Sequence, residues 1–218
     1  MSRQTAIEVR RARADKRGRG SRRARAASRR TLGALVALGV VALIAVLVAS
    51  EVNHAVSKLG LPLTNAEVIR EQAAAKHLDP ALIAAVIYAE SKFAPQQSSA
   101  GAEGLMQILP ETAYFIAHRS GGSRFTESDL ATPSINVAYG SYYLRYLLGH
   151  YDGNEMLAVA AYNAGLANVD RWVARARADG GHLTVAAIPF PETRAYVDRV
   201  LSAQQDYRSA YPRQLGLQ

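Results

Sequence analysis

The 218 residues allow one compact domain or two small ones and exclude a multidomain machine. They are 49% hydrophobic and 20% charged and contain no Cys, which excludes disulfide scaffolds, Cys-based zinc sites, iron–sulfur clusters and thiol nucleophiles. The net charge of +8 does not describe a basic globular surface: residues 1–30 hold 12 Lys/Arg against 2 Asp/Glu, so the other 188 residues balance to −2.

Residues 1–30, rich in Arg, Ala, Ser and Gly, bury too little apolar surface to offset the entropy of ordering, so they are expected to be a disordered basic tail. Residues 31–50, TLGALVALGVVALIAVLVAS, then run twenty residues without a charge. As a helix at ~1.5 Å per residue this covers roughly the 30 Å of a bilayer core, and a single transmembrane helix is expected. A buried core helix would show a polar stripe. A cleaved signal peptide, for which Val48, Ala49 and Ser50 offer small residues, would have a shorter apolar run and a shorter basic region. The arginines before the span predict an N-terminus in the cytoplasm and everything after the span outside it. No aromatic residue interleaves those arginines, so nucleic-acid binding is not expected.

Residues 51–63 read as a connector, 64–210 as a folded body and 211–218 as a C-terminal tail. Thr64 and Glu67 suggest a capping box for a helix to about His77. Asp79 caps the next helix with Pro80 in its first turn, and PALIAAVIYAES is apolar on nearly every face, so that helix must be central. Residues 94–104 read as loop, Pro110 opens a helix to about Arg119, and residues 121–132 read as loop again. Pro133 starts a long helix, Asn154 caps another to Ala164, a further helix carries Trp172, and Pro191 begins the last. A short strand near Leu183 to Ile188 is the one extended piece with any support. The class is mainly α.

Glu90 closes the most apolar helix of the body. Desolvation and the negative end of the helix macrodipole both disfavour its carboxylate there, and both raise its pKa toward what a general acid needs near neutral pH. A solvated Glu at a fraying helix end is the ordinary alternative for such a residue taken alone. Glu103, Glu111, Asp129 and Asp152 stand in loops, connectors or a helix first turn, where a solvated or capping charge is expected.

Several stretches together decide between the two. ESKFAP (Glu90 to Pro95), SSAGAEGLMQILPETA (Ser98 to Ala113) and AYNAG (Ala161 to Gly165) resemble the lytic transglycosylases of the soluble type (SLT), in the lysozyme-like superfamily. NVAYGSYYLRYLL and IPFPETRAYV are similar to the same family, in the same order, and the resemblance covers roughly residues 64–205. It implies a lysozyme-like helical fold. The implied reaction cleaves the β-1,4 bond between N-acetylmuramic acid and N-acetylglucosamine in peptidoglycan without water, leaving a 1,6-anhydro-muramyl end.

The resemblance also implies that Glu90 is the sole catalytic acid and base, with Ser98, Met106, Gln107, Tyr162, Asn163 and Tyr196 binding substrate or holding the acid. The chain is one residue shorter than the family pattern between Pro95 and Gly101, so counting forward from Pro95 selects Ser99 in place of Ser98. Leu166-Ala167 replaces the family's usual Pro-Gly. A lysozyme-like hydrolase would need a second carboxylate near Glu90, and a catalytically weak wall-binding or secretion-assembly protein would not need Glu90 at all.

The histidines fall in separate segments with no pair at zinc-helix spacing, and no glycine loop has the setting of a phosphate cradle. Neither a metal nor an organic cofactor is expected. The partners are peptidoglycan glycan strands and the membrane.

Overall fold

The computed structural model describes residues 43–44, 60–121 and 124–217. The chain divides into two units, 1–53 and 54–218. In the first, Leu43 and Ile44 are helical and exposed, and the rest of the expected tail and span lies outside the described residues. Among the described residues no helix is long and apolar enough to cross a membrane.

Among the described residues the second unit has seven complete helices: α1 (Ala66–Lys76), α2 (Pro80–Ser91), α3 (Pro110–Ser120), α4 (Pro133–His150), α5 (Glu155–Ala164), α6 (Leu166–Ala178) and α7 (Pro191–Ala210). Four of them begin at a proline, whose fixed φ suits a first turn and whose missing N–H has no partner to lose there. Asp79 and Asn154 cap α2 and α5 with side-chain oxygens, accepting from Ala81 N at 3.0 Å and Leu157 N at 3.1 Å.

The capping box expected at Thr64 does not form. Asn65 is the residue before α1, in a left-handed conformation (φ 54°) that aims no side-chain oxygen at the first turn. A capping box does form at Thr126, whose hydroxyl and N–H both bond Asp129 at the head of the 3₁₀ turn Glu127–Ala131, inside a stretch that reads as loop. The piece near Leu183 is likewise a 3₁₀ turn, Val185–Ala187, and not a strand. The stretch 94–104, read as loop, instead contains a small antiparallel hairpin of β1 (Gln96–Gln97) and β2 (Glu103–Gly104), with Gln96 opposite Gly104.

Helix α2 is the axis of the core: every residue from Ala81 to Ile87 is buried. Leu82, Ile83, Val86 and Ile87 each contribute about 2 kcal/mol of burial, which fixes where this helix must lie. Helix α7 runs antiparallel along it, because Asp79 at the start of α2 meets Gln204 and Arg208 late in α7, while Glu90 near the end of α2 meets Tyr196 early in α7. Helix α5 bridges α7 and α4, and α6 packs on α5. Chain on both sides of 64–210 joins this core: Leu61 and Leu215 are buried in it. Tyr207 and Tyr211 hydroxyls donate to the carbonyls of Pro62 and Leu61 at 2.6 and 2.7 Å, and Arg70 donates to Gln214 O at 2.6 Å.

Candidate active site

Three helices and the hairpin supply the site. Glu90 is the last residue but one of α2, where Lys92 and Phe93, both left-handed (φ 51° and 63°), turn the chain out of the helix. Ser91 is buried and secures that turn from below. Its hydroxyl lies 2.7 Å from Leu105 O and 3.2 Å from Ile87 O, tying the end of the helix to the segment after β2.

Burial raises Glu90 from the ordinary carboxylate value to about 7; the hydrogen bond from Tyr196 and the charge of Arg199 pull the other way and do not overcome it. Tyr196 is buried on α7 and donates to Glu90 Oε1 at 2.7 Å. Its own hydroxyl is pushed well up by burial and by the Glu90 charge, so it stays a proton donor to Glu90. Tyr162, on α5, is held up in the same way, first by burial and then by Glu90.

Tyr162 donates to the carbonyl of Met106 at 2.9 Å, which joins α5 to the segment after the hairpin. Met106 itself is fully buried, packed so closely on α4 that a Cβ at Gly140 would lie 2.3 Å from its Sδ. Its backbone N–H donates to Asn136 Oδ1 at 2.8 Å. The Asn136 amide in turn donates to Glu103 O at 2.8 Å and Leu130 O at 3.1 Å. Gly104 must be glycine here: φ is +78° and a Cβ would fall 2.2 Å from Asn136 Nδ2.

Ser98 and Gln107 make their bonds within the hairpin. Ser98 Oγ accepts from Ala102 N at 3.0 Å, and Gln107 Nε2 donates to Gln96 O at 2.8 Å and Gly104 O at 2.9 Å. Ser99 is exposed. Asn163 Oδ1 accepts from Thr193 Oγ1 at 2.8 Å. The structure thus brings Glu90, Tyr196 and Tyr162 together, places Asn163 next along α5, and sets Ser98 and Gln107 on the hairpin.

Tyr143, whose ring centroid is 5.5 Å from that of Tyr162, borders a cavity of about 310 Å³. Glu111, Thr112, Phe115, Tyr143, Tyr146 and Leu166 line it. Of the remaining carboxylates, Glu103 accepts from Gln97 at 2.8 Å and Asp129 is spent in its capping box. No group of three or more His, Asp or Glu that could hold a metal occurs among the described residues.

Sequence reasoning missed Ser91, Asn136 and Thr193. All three sit inside quoted motif stretches and mark themselves as polar residues on faces otherwise apolar.

Residues 67–184 match the family model of the transglycosylase SLT domain. The chain belongs to the SLT transglycosylase family. Its SLT domain is 41% identical over 161 residues to a putative soluble lytic murein transglycosylase of Haemophilus influenzae, covering 71% of this chain and 27% of that protein. A membrane-bound lytic murein transglycosylase C of Glaesserella parasuis is 28% identical over 164 residues, covering 65% and 45%. Among solved structures, an inactive Glu-to-Gln mutant of the lytic transglycosylase Slt from Pseudomonas aeruginosa superposes with a TM-score of 0.63 at 33% identity, covering 68% of this chain and 24% of that one. The chain therefore spans about a quarter of the length of the soluble-type relative and of that structure, and the SLT fold, mainly helical and lysozyme-like, is what it shares with them.

Proposed function

We propose that this SLT domain is a peptidoglycan lytic transglycosylase in which Glu90 is the sole general acid and base. The observation that carries the reading is a half-buried carboxylate that desolvation raises to about 7, so that its acid and its base are both populated near neutral pH. Glu90 first gives its proton to the glycosidic oxygen between N-acetylmuramic acid and N-acetylglucosamine as the C1–O bond breaks. The 2-acetamido group stabilises the charge that develops at C1. The C6 hydroxyl of the same muramyl residue then bonds to C1, and its proton returns to Glu90. The product is a 1,6-anhydro ring, no water is consumed, and no second carboxylate is required.

Tyr196 holds the acid and Tyr162 backs it. Asn163, Gln107 and Ser98 belong to the cleft wall that positions the sugars, while Met106, expected there too, is fully buried and supports that wall from behind. The family membership and the inactivation of the Pseudomonas relative by one Glu-to-Gln exchange support Glu90 in this role.

In the same reading residues 31–50 are a single membrane span, 1–30 a cytoplasmic tail, 51–63 a connector and 64–210 a catalytic domain facing the wall. The uncharged run and the twelve basic residues before it support this arrangement, as does the existence of a membrane-bound relative.

Digestion of purified peptidoglycan by the full chain and by Glu90→Gln, with products resolved by mass, tests the chemistry. Muropeptides ~18 Da lighter than hydrolytic ones, from the parent only, are expected. Reducing-end products would replace the lyase with a hydrolase, and equal digestion by both proteins would remove Glu90 from the reaction.

A further inference from the structure

A side-chain amide has an acceptor oxygen and a donor NH₂ of nearly the same shape, so the end a cleft meets depends on what holds the other end. Asn163, in the last turn of α5, has its oxygen held. Thr193 Oγ1 donates to Asn163 Oδ1 at 2.8 Å. Thr193 is only 2% exposed and stands in the first turn of α7, one turn before Tyr196. The NH₂ end is different. Asn163 Nδ2 has no partner among the described residues, and it is not buried, since among those residues Ser141 Oγ is the one buried side-chain N or O atom that lacks a partner. The amide therefore reaches open space with both N–H groups unspent, next along α5 from Tyr162.

We propose that Thr193 is a positioning residue that fixes the flip of Asn163, so that the cleft is offered a donor and selects a substrate with an acceptor oxygen at that place. The acetamido carbonyl and the ring hydroxyls of an N-acetylated sugar have that chemistry. A peptide or glycan lacking an acceptor there gains nothing from the site. This inference rests on the transglycosylase reading for the identity of the sugar, and on the Thr193–Asn163 contact alone for the flip. One helix thereby serves two functional groups, with Tyr196 on the acid and Thr193 on the amide.

Three full-length proteins test it: Thr193→Val, which keeps the shape and removes the donor, Thr193→Ser, which keeps the donor, and Asn163→Asp, which keeps the acceptor and removes the NH₂. The side-chain carbonyl carbon of Asn163, followed by NMR without any glycan, should shift in the Val protein and stay in the Ser protein. In a Glu90→Gln background, affinity for a soluble N-acetylglucosamine–N-acetylmuramic acid tetrasaccharide should fall about tenfold with Val and stay within about threefold with Ser. In the active background the Val change should appear in KM with kcat within about twofold. Combined with Asn163→Asp, Thr193→Val should add nothing further, since both act through one amide.

A resonance that does not move, an affinity that Ser fails to keep, or additive losses in the double variant would each overturn the proposal. A loss confined to thermal stability would do the same, leaving Thr193 a packing residue. Absence of all glycan binding by the Glu90→Gln parent would bring down the transglycosylase reading, and the donor role at the sugar with it, while the resonance would still report whether Thr193 holds the amide.

Discussion

Helix α2 carries a carboxylate at each end, and the two are treated in opposite ways. Asp79, at the positive end of the helix dipole, accepts from Ala81 N, from Gln204 Nε2 at 2.6 Å and from two nitrogens of Arg208 at 3.1 and 2.9 Å. Glu90, at the negative end, accepts from one neutral hydroxyl, and its desolvation outweighs both that bond and the charge of Arg199. Both bonds run to α7, so the same pair of helices is fastened at one end and left chemically unsatisfied at the other. The difference teaches that a carboxylate is made reactive here by withholding partners, and that the surplus of partners at the far end keeps the helices in register while this is done.

The widest gap between the two ends should appear in turnover. Glu90→Gln is expected to lose about 10³-fold in kcat on peptidoglycan, in line with removal of a general acid. Its fold should be retained, since a neutral amide is easier to bury there than a carboxylate. A Gln variant with more than a tenth of parental turnover would erase the contrast.

The second test is thermodynamic. Because the folded-state value of Glu90, about 7, lies above its ordinary 4.5, the native chain binds the proton more tightly than the unfolded chain. That contribution is present in full below about 4.5 and is lost as pH rises through about 7, a change on the order of 3 kcal/mol. Denaturant unfolding of the parent against Glu90→Gln across this window should show the parent losing ground by that order; parallel curves would mean the carboxylate is not destabilised by burial.

At the other end, Asp79→Ala should cost about 2 kcal/mol in unfolding free energy, from the lost cap and the lost bonds to Gln204 and Arg208. Part of the pair is solvent-screened, since the Arg208 side chain is 54% exposed. Turnover well below the melting point should stay within about twofold, because no reacting group is touched. A large drop in kcat without melting would show that register at the far end reaches the acid.

The smallest effect should come from Tyr196→Phe. Removing the Tyr196 hydroxyl takes away a contact that lowers the pKa of Glu90, so the alkaline limb of the kcat/KM profile should move to higher pH. The rate at the optimum should fall about tenfold. A limb that moves to lower pH would reverse the assignment of Tyr196 as donor.

Much of this was legible beforehand, for local reasons. The helix starts at Pro80, Pro110, Pro133 and Pro191 and the caps at Asp79 and Asn154 depend on neighbours in sequence, and the apolar run before Glu90 points to a desolvated carboxylate once the motifs around it are read together. The two-residue strands were not legible, because alternation needs a longer run, and Thr64 failed as a cap because the left-handed Asn65 intervenes. The supporting residues were hidden for another reason. Ser91 meets Leu105, Asn136 meets Met106 and Thr193 meets Asn163, pairings between distant segments that no spacing in the sequence announces.

The tyrosine pair on the Leu61 and Pro62 carbonyls has a mechanical consequence. A pull on the chain ahead of Leu61 loads two hydrogen bonds in shear against the last turns of α7, roughly three helical turns beyond Tyr196. The force enters near Asp79, Gln204 and Arg208, where three bonds join the two helices at the end opposite Tyr196 and Glu90. The Glu90–Tyr196 contact is thereby set apart from the place where such a load enters.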